Sequence, residues 1–123
     1  MITGIDVVFI HVKDPVKMKK WYTEVLELDS GFFTPDLHWQ EFSFPETTPS
    51  RFALDSIGDK RSGVELQKIM ISFKVSDLES YVKKLETKGI EFHRSQKIVD
   101  VGPTLVATIK DIEGNWIQFS QRK

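Results

Sequence analysis

Two stretches of the sequence decide the fold, because they repeat one another. Residues 12–28 read VKDPVKMKKWYTEVLEL, and residues 75–89 read VSDLESYVKKLETKG. Each contains an Asp that can cap a helix, Asp14 and Asp77, and these two residues are 63 positions apart. Large apolar residues follow at helical spacing, which is the pattern of a helix with one buried side. The sequence therefore predicts a module with one helix that occurs twice.

Strand-like runs surround both predicted helices at the same spacing. Two of them precede the helices and two follow: Asp6–Val12, Ile69–Val75, Phe52–Ile57 and Asn115–Ser120. A module of this size cannot bury its sheet face alone, so two modules have to close on one another and leave a cavity between them. We expect a single domain over residues 1–123, with modules at about 1–60 and 64–123.

The composition restricts the class of protein. The 123 residues, 40% of them hydrophobic, suffice for one compact domain with a core. The net charge is −1, and no basic run is dense enough to follow a phosphate backbone, so we expect no nucleic-acid partner. Without Cys, neither a disulfide nor a thiolate metal site can form. No apolar run approaches the roughly 20 residues that span a bilayer, and we expect a soluble, cytoplasmic protein with no membrane partner.

Alternation along the first strand of each module assigns its two faces. One face is uniformly apolar, and we expect the helices to cover it: Val8, Ile10, Val12, Ile71, Phe73 and Val75. The opposite face is chemically mixed, and we expect it to line the enclosed space: Val7, Phe9, His11, Met70, Ser72 and Lys74.

The ends of the helices are marked by single residues. The helices are predicted to run through Leu26 and Lys88. Pro15 suits the first position of the first helix, because its missing N–H would be unpaired there in any case. Gly89 supplies a left-handed stop for the second helix.

Further extended segments complete each module. They are predicted at His38–Phe44 and Phe52–Ile57 in the first, and at Glu91–Arg94, Thr104–Lys110 and Asn115–Ser120 in the second. Residues 45–49 are predicted to form a loop, and residues 56–63 the connector between modules. Residues 111–115 form a tight turn with Gly114 at a positive φ, which joins two strands as a hairpin.

These motifs resemble the vicinal oxygen chelate superfamily, which includes glyoxalase I, extradiol dioxygenases, fosfomycin-resistance transferases and bleomycin-resistance proteins. The resemblance covers nearly the whole chain, with Ile112 in place of a usual proline. It rests on the VKD and KVSD motifs, on Trp21-Tyr22, Val25–Leu28 and Lys88–Phe92, and on the turn Asp111–Ile117. It implies an α+β fold of two βαβββ modules that form an open, cup-shaped mixed sheet with helices on the outer face.

Enzymes of this superfamily usually hold a divalent metal with His, Glu or Asp side chains in the cup. By the family spacing and the 63-residue repeat, the four metal positions fall on Val7, Met70, Gln118 and Asp55. Only Asp55 offers a strong donor to a hard or borderline cation, because Val has none, Met a soft thioether and Gln one neutral carbonyl. We therefore expect no metal and no cofactor.

Two groups of side chains are candidates for function. His11 and Asp55 are the best acid/base pair, although His11 can equally be a hydrogen-bonded wall residue and Asp55 a structural carboxylate. Lys74 lies on the correct face to pair with Asp55, and His38 and His93 are expected at the surface or rim. Aromatic rings on strands favour a flat apolar ligand. The ligand-binding candidates are Phe9, Trp116, Gln118, Met70, Ser72, Lys74, Val7 and Trp39.

Three functions are compatible with these residues. The leading hypothesis is a metal-free protein that binds a small, partly apolar or aromatic molecule in the cup, as bleomycin-resistance proteins do. One alternative is a lyase or isomerase of the glyoxalase type, or a relative of the dioxygenases, with a non-standard site. The other is a protein-interaction module. The resemblance also implies a homodimer, which would cover exposed sheet edges.

Overall fold

The computed structural model describes residues 1, 6–44, 50–56 and 69–123. The chain divides into two compact units, residues 1–62 and 63–123, which we call the first and second modules. The predicted loop at 45–49 and the predicted connector beyond Ser56 lie outside the described residues. No helix among the described residues is long and apolar enough to cross a membrane.

The first module is a four-stranded mixed sheet with one helix. Its elements are β1 (Val7–His11), α1 (Pro15–Glu24), β2 (Asp29–Phe33), β3 (Trp39–Ser43) and β4 (Arg51–Asp55). The strand order in the sheet is β1-β4-β3-β2. The first and last strands pair in parallel, and the other neighbours are antiparallel.

The second module repeats this topology. Its elements are β5 (Ile71–Lys74), α2 (Leu78–Thr87), β6 (Val99–Asp100), β7 (Thr104–Lys110) and β8 (Trp116–Arg122). The strand order is β5-β8-β7-β6, again with a parallel pair of first and last strands. The predicted α+β fold of two βαβββ modules is confirmed in this topology.

Both helices begin as predicted. The Asp14 carboxylate accepts a hydrogen bond from the Lys17 backbone N–H at 3.0 Å, and Pro15 is the first helical residue. Asp77 accepts from the Ser80 backbone N–H at 3.1 Å, and this bond is the largest cause of its lowered pKa. The side chain of Gln121, from the last strand, accepts a further bond from the Leu78 N–H at 2.7 Å.

The helices end one or two residues earlier than predicted, at Glu24 and Thr87. Gly89 has a φ of 80°, which confirms the left-handed stop, and Gly114 has a φ of 86°, as predicted for the turn. The end of α1 instead uses Glu27, a residue with a side chain, at a φ of 61°.

The predicted helix-covered face packs against the helix in both modules, although Val8 itself is 37% exposed, and the enclosed space on the other face stays a prediction. Val8 and Ile10 pair with Phe52 and Leu54, whose side chains are buried on the helix-covered face. The Tyr22 ring of α1 lies 5.3 Å from the Phe52 ring. In the second module, Phe73 and Phe119 are stacked at 6.2 Å, and the Tyr81 ring of α2 lies 5.0 Å from Phe119. We call the opposite side of each sheet its helix-free face.

Two strand predictions are incomplete or wrong. β2 at Asp29–Phe33 was not predicted, because Ser30 and Gly31 interrupt any alternation. Glu91–Arg94 is not a strand. This segment makes one backbone hydrogen bond to β7, from His93 N–H to Thr108 C=O at 2.9 Å, and the strand beside β7 is β6.

Candidate functional site

A histidine and a carboxylate meet on the helix-free face of the first module. The parallel register places His11 directly opposite Asp55, and His11 Nδ1 lies 3.1 Å from Asp55 Oδ2. The two side chains are 40% and 14% exposed. The predicted pair is therefore brought together. An ionised carboxylate only accepts hydrogen bonds, so it favours the tautomer in which Nδ1 carries the proton and Nε2 keeps its lone pair.

Aromatic rings continue this cluster along the sheet. The Phe9 ring lies 5.8 Å from the His11 ring and 5.1 Å from the Trp39 ring, both in edge geometry. Trp39 donates its indole N–H to Glu41 at 2.9 Å. Val7, at the start of β1, faces the same way and is paired with Arg51. These side chains form what we call the first-module cluster: Val7, Phe9, His11, Trp39, Glu41, Arg51 and Asp55.

A cavity of about 510 Å³ lies on the helix-free face of the second module. Three predicted ligand-binding residues line it: Met70, Trp116 and Gln118. β7 contributes Val106, Ala107 and Thr108. The remaining walls come from the segment between α2 and β7: His93, Arg94, Gln96, Lys97, Val99 and Val101.

Trp116 is the aromatic centre of this cavity. The Lys110 ammonium lies 4.5 Å from its ring centroid, and the His93 ring contacts it edge-on at 4.6 Å. The backbone bond from His93 to Thr108 holds the loop against β7 at this point. The indole therefore contacts a cation and an imidazole at the cavity wall.

The other two predicted residues of this module do not line the cavity. Ser72 donates its hydroxyl to the Ser120 hydroxyl at 3.1 Å, and Lys74 is paired with Ser120 in the register. Asp55 belongs to the first module and bonds His11, and its predicted pairing with Lys74 stays a prediction. That both modules line one shared pocket stays a prediction.

The other histidines differ in their surroundings. His38 Nδ1 lies 2.6 Å from Asp36 Oδ1, and the hydrogen bond from His38 lowers the pKa of Asp36 to about 2. His93 is exposed and stands at the rim of the cavity, where its ring reaches Trp116.

The strand registers correct one correspondence between the modules. His11 and Lys74, 63 positions apart, are equivalent, but His11 pairs with Asp55 and Lys74 with Ser120, which are 65 positions apart. The position equivalent to Gln118 is therefore Ala53, and the prediction that it is Asp55 is wrong. Since two residues are a full strand period, the predicted face of Asp55 is unaffected.

The donor set of the family metal site does not fit a metal ion. With the corrected register, the four positions carry Val7, Ala53, Met70 and Gln118. Only one neutral amide oxygen and one soft thioether remain, whereas a divalent ion needs several carboxylate or imidazole donors. Among residues 6–44, 50–56 and 69–123, no group of three His, Asp or Glu side chains could hold a metal ion.

Sequence reasoning missed the loop wall of the cavity. Arg94 and Lys97 come from a segment whose course over the sheet no periodicity indicates. Val106 and Thr108 could have been found, because they alternate along the correctly predicted strand and pair with Ser120 and Gln118. The contact between Trp39 and Glu41 was also missed, although both residues share a face of β3.

Solved structures of three other proteins share this fold over almost their whole length. TnmS3, an antibiotic binding protein from Streptomyces sp. CB03234, is 19% identical with a TM-score of 0.79, and the match covers 99% of this chain and 98% of that chain. TioX from Micromonospora sp. ML1 is 16% identical with a TM-score of 0.74, covering 98% and 100%. Lactoylglutathione lyase from Agrobacterium tumefaciens is 13% identical with a TM-score of 0.73, covering 97% and 93%. These likenesses concern the fold and not the activity.

Sequence comparison gives the family directly. A search of curated protein sequences finds no significant match. The sequence pattern of one family, however, matches residues 4–119, which is nearly the whole chain. With its two βαβββ modules, the chain therefore belongs to the Glyoxalase/Bleomycin resistance protein/Dioxygenase superfamily.

Proposed function

We propose that the protein binds a small, partly apolar or aromatic molecule in the cavity of the second module, without a metal ion. The observation that carries this proposal is the cavity beside Trp116. Its volume, about 510 Å³, lies in the range of small-molecule sites, roughly 300–1,000 Å³. Six of its lining residues are apolar and six are polar or charged, so the walls offer both an apolar contact surface and groups that can orient a ligand.

Trp116 and Met70 supply the apolar contact surface in this proposal. An indole offers a large, rigid surface for another ring, and a thioether adapts its shape to different ligands. Gln118 and Thr108, opposite one another on β8 and β7, supply neutral hydrogen-bonding groups beside them. A planar molecule with one polar group matches this arrangement.

The fold supports the same proposal by analogy. TnmS3, which has the same fold, is an antibiotic binding protein. Since folds of this kind serve several functions, the analogy supports binding of a small molecule and does not identify the ligand of this chain.

Calorimetric titration with 2-naphthoate, a small planar aromatic acid, tests the site. We expect Trp116→Ala to weaken binding by roughly 1–3 kcal/mol, the loss typical of an aromatic anchor. Val16→Ala is the control, because Val16 is 64% exposed on α1 and lies outside the cavity lining. If the wild-type protein and Trp116→Ala bind 2-naphthoate with equal affinity, Trp116 does not contact the ligand.

Elemental analysis tests the absence of a metal. After dialysis against a mild chelator and incubation with zinc, nickel or manganese, we expect less than stoichiometric retention and no rise in melting temperature. A bound ion would raise that temperature by mass action. One tightly held metal per chain would contradict the proposal.

A second candidate function rests on the pair of His11 and Asp55. A histidine oriented by a carboxylate is the arrangement of a general base, and it favours a lyase or isomerase of the glyoxalase type. If the wild-type protein and His38→Gln convert a hemithioacetal and His11→Gln does not, the enzymatic function is favoured. If the wild-type protein shows no turnover, the binding function is preferred.

We also propose that the protein is a cytoplasmic homodimer. The outer strand β2 exposes Phe32 and Phe33, 60% and 46% accessible, at a sheet edge that a second chain could cover. Light scattering at micromolar concentration should give twice the mass of 14.2 kDa. A monomer over that range would contradict the dimer, and stable capture of a different protein would favour the alternative of an interaction module.

A further inference from the structure

The cavity of the second module has walls of one charge sign. Of its twelve lining residues, none is Asp or Glu, whereas Arg94 and Lys97 carry positive charges. A third cation, the Lys110 ammonium, lies 4.5 Å from the centroid of the Trp116 ring. An aromatic wall next to cations attracts a ligand that has both a ring and a negative charge.

Two nearby carboxylates, Glu86 and Asp100, already have cationic partners. Glu86 pairs with Lys97, and it lines a separate cavity of about 430 Å³ together with Glu91. Asp100 accepts hydrogen bonds from the Lys123 ammonium and the Gly102 N–H, and the bond from Lys123 is the main cause of its lowered pKa. Because it accepts these bonds, the Asp100 carboxylate is engaged outside the cavity and does not pair with the cations that line it.

Arg94 is the lining cation without an ion-pair partner among the described residues, and the Lys110 ammonium instead contacts the Trp116 ring. Lys97 already has Glu86 as a partner, whereas no carboxylate among the described residues forms an ion pair with Arg94. Arg94 also borders the smaller cavity, so this residue lies at the boundary of the two. A guanidinium is permanently charged, and its planar fork of N–H donors matches a carboxylate.

We infer that the ligand of this cavity is an aromatic carboxylate, held by Trp116 through its ring and by Arg94 through its anionic group. This inference rests on the proposed binding function and adds the charge of the ligand to it. Gln118 and Thr108 then contact the remaining polar atoms, and Met70 packs against the apolar part.

Three probes of nearly equal size and shape test the charge. They are 2-naphthoate, its neutral analogue 2-naphthamide and the cation 2-naphthylmethylammonium. We expect 2-naphthoate to bind about tenfold more tightly than 2-naphthamide in calorimetric titrations at low salt, which is the gain of one charge-assisted hydrogen bond. The cation should bind more weakly than either, and added salt should reduce the preference.

Variants of one residue then assign the preference. Arg94→Gln should weaken 2-naphthoate binding about tenfold and leave 2-naphthamide binding within roughly twofold, because only the charge contact is lost. Arg94→Lys, which keeps the charge, should recover part of the loss. Lys83→Gln is the matched control, since Lys83 is 73% exposed on α2 and loses the same charge outside the cavity. Thermal melts verify that each variant is folded.

The outcomes separate the inference from the function on which it rests. If all three probes bind equally and Trp116→Ala weakens all of them, the binding function stands and the anionic preference is wrong. If Arg94→Gln weakens 2-naphthamide as much as 2-naphthoate, the role of its charge is wrong. If none of the probes binds at millimolar concentration, both the function and the inference are contradicted.

Discussion

The helix-free faces of the two modules share a backbone plan and differ in what their side chains contact. In the first module, His11 bonds Asp55, and Phe9 packs between His11 and Trp39. In the second module, Trp116 and Gln118 occupy the last strand and border a cavity of about 510 Å³. Side chains of both faces contact one another, but Trp116 also stands at the wall of a cavity that a ligand can enter.

The helix-covered faces, by contrast, are alike. Each packs an aromatic ring of its helix against aromatic rings of its sheet, Tyr22 on Phe42 and Phe52, and Tyr81 on Phe119. Burial of apolar surface is the main source of stability. We conclude that the helix-covered faces maintain the fold, and that the helix-free faces could therefore become chemically different.

The largest expected effect tests this division of roles. Tyr22→Ala should lower the free energy of unfolding by about 3–5 kcal/mol, because it removes a fully buried ring from the aromatic core. Phe9→Ala, on the helix-free face where Phe9 is 45% exposed, should cost only about 1 kcal/mol. Urea denaturation measures both values. Equal losses would mean that the helix-free face also maintains the fold.

The next prediction compares equivalent positions of the two helix-free faces. Asp55→Ala should destabilise the protein by about 1 kcal/mol, since it removes a charge-assisted bond to His11 that is partly buried. Ser120→Ala, at the equivalent position of the second module, should cost about 0.5 kcal/mol, because its hydroxyl bond to Ser72 is exposed. Double-mutant cycles with His11→Ala and Ser72→Ala give the two pair energies. A larger energy for the serine pair would reverse the comparison.

The ends of the two helices give a smaller contrast. Gly89→Ala should cost about 1 kcal/mol, because a residue with a Cβ is disfavoured at positive φ. An added Cβ would meet no atom within 4 Å, so no steric clash contributes. Gly89→Asn should cost less, since Asn tolerates this conformation, as Glu27 does at the end of α1. Thermal denaturation measures both changes, and an unchanged melting temperature for Gly89→Ala would be contrary to this explanation.

The smallest expected effect concerns acid stability of the first module. Asp36 has a pKa of about 2 in the folded protein, below its ordinary 3.8, because of the hydrogen bond from His38. A carboxyl group with a lowered folded-state pKa stabilises the protein above pH 3.8, and this contribution is lost as the pH falls from 3.8 through 2. Asp36→Asn should therefore make the melting temperature less dependent on pH in that interval. The change should be slight, since Asp36 is exposed and its interaction is screened by solvent. An identical pH dependence in the variant would exclude this contribution.

The sequence predicted the features that depend on local physical chemistry. Strand alternation assigned Val8 and Phe9 to opposite faces. Asp14 and Asp77, whose carboxylates can accept hydrogen bonds from backbone N–H groups, located both helix starts. The equivalence of Asp55 and Gln118 failed, because a constant repeat length does not account for loops of different length between paired strands. The error was two residues, which is a full strand period. The predicted face of Asp55 was therefore correct, and only the residue that corresponds to Gln118 changed, from Asp55 to Ala53.

The candidate site was only partly predictable for a related reason. Met70, Trp116 and Gln118 lie on strands, where alternation determines the direction of a side chain. Arg94 lies on a loop that one backbone bond holds against β7, and no sequence period encodes such a contact.

The parallel pairing of the first and last strands has a consequence for synthesis on the ribosome. In each module the first strand pairs with the last one to be synthesised. β1 pairs with β4, which ends at Asp55, and β5 pairs with β8, which ends at Arg122. The first module can therefore complete its sheet while much of the second is untranslated, in keeping with the tendency of N-terminal units to fold first. The second module stays open until β8 is available, and the helix-start contact from Gln121 to Leu78 forms equally late. Until then β5 has an unpaired edge, which is the kind of surface that makes a partly folded chain prone to aggregation.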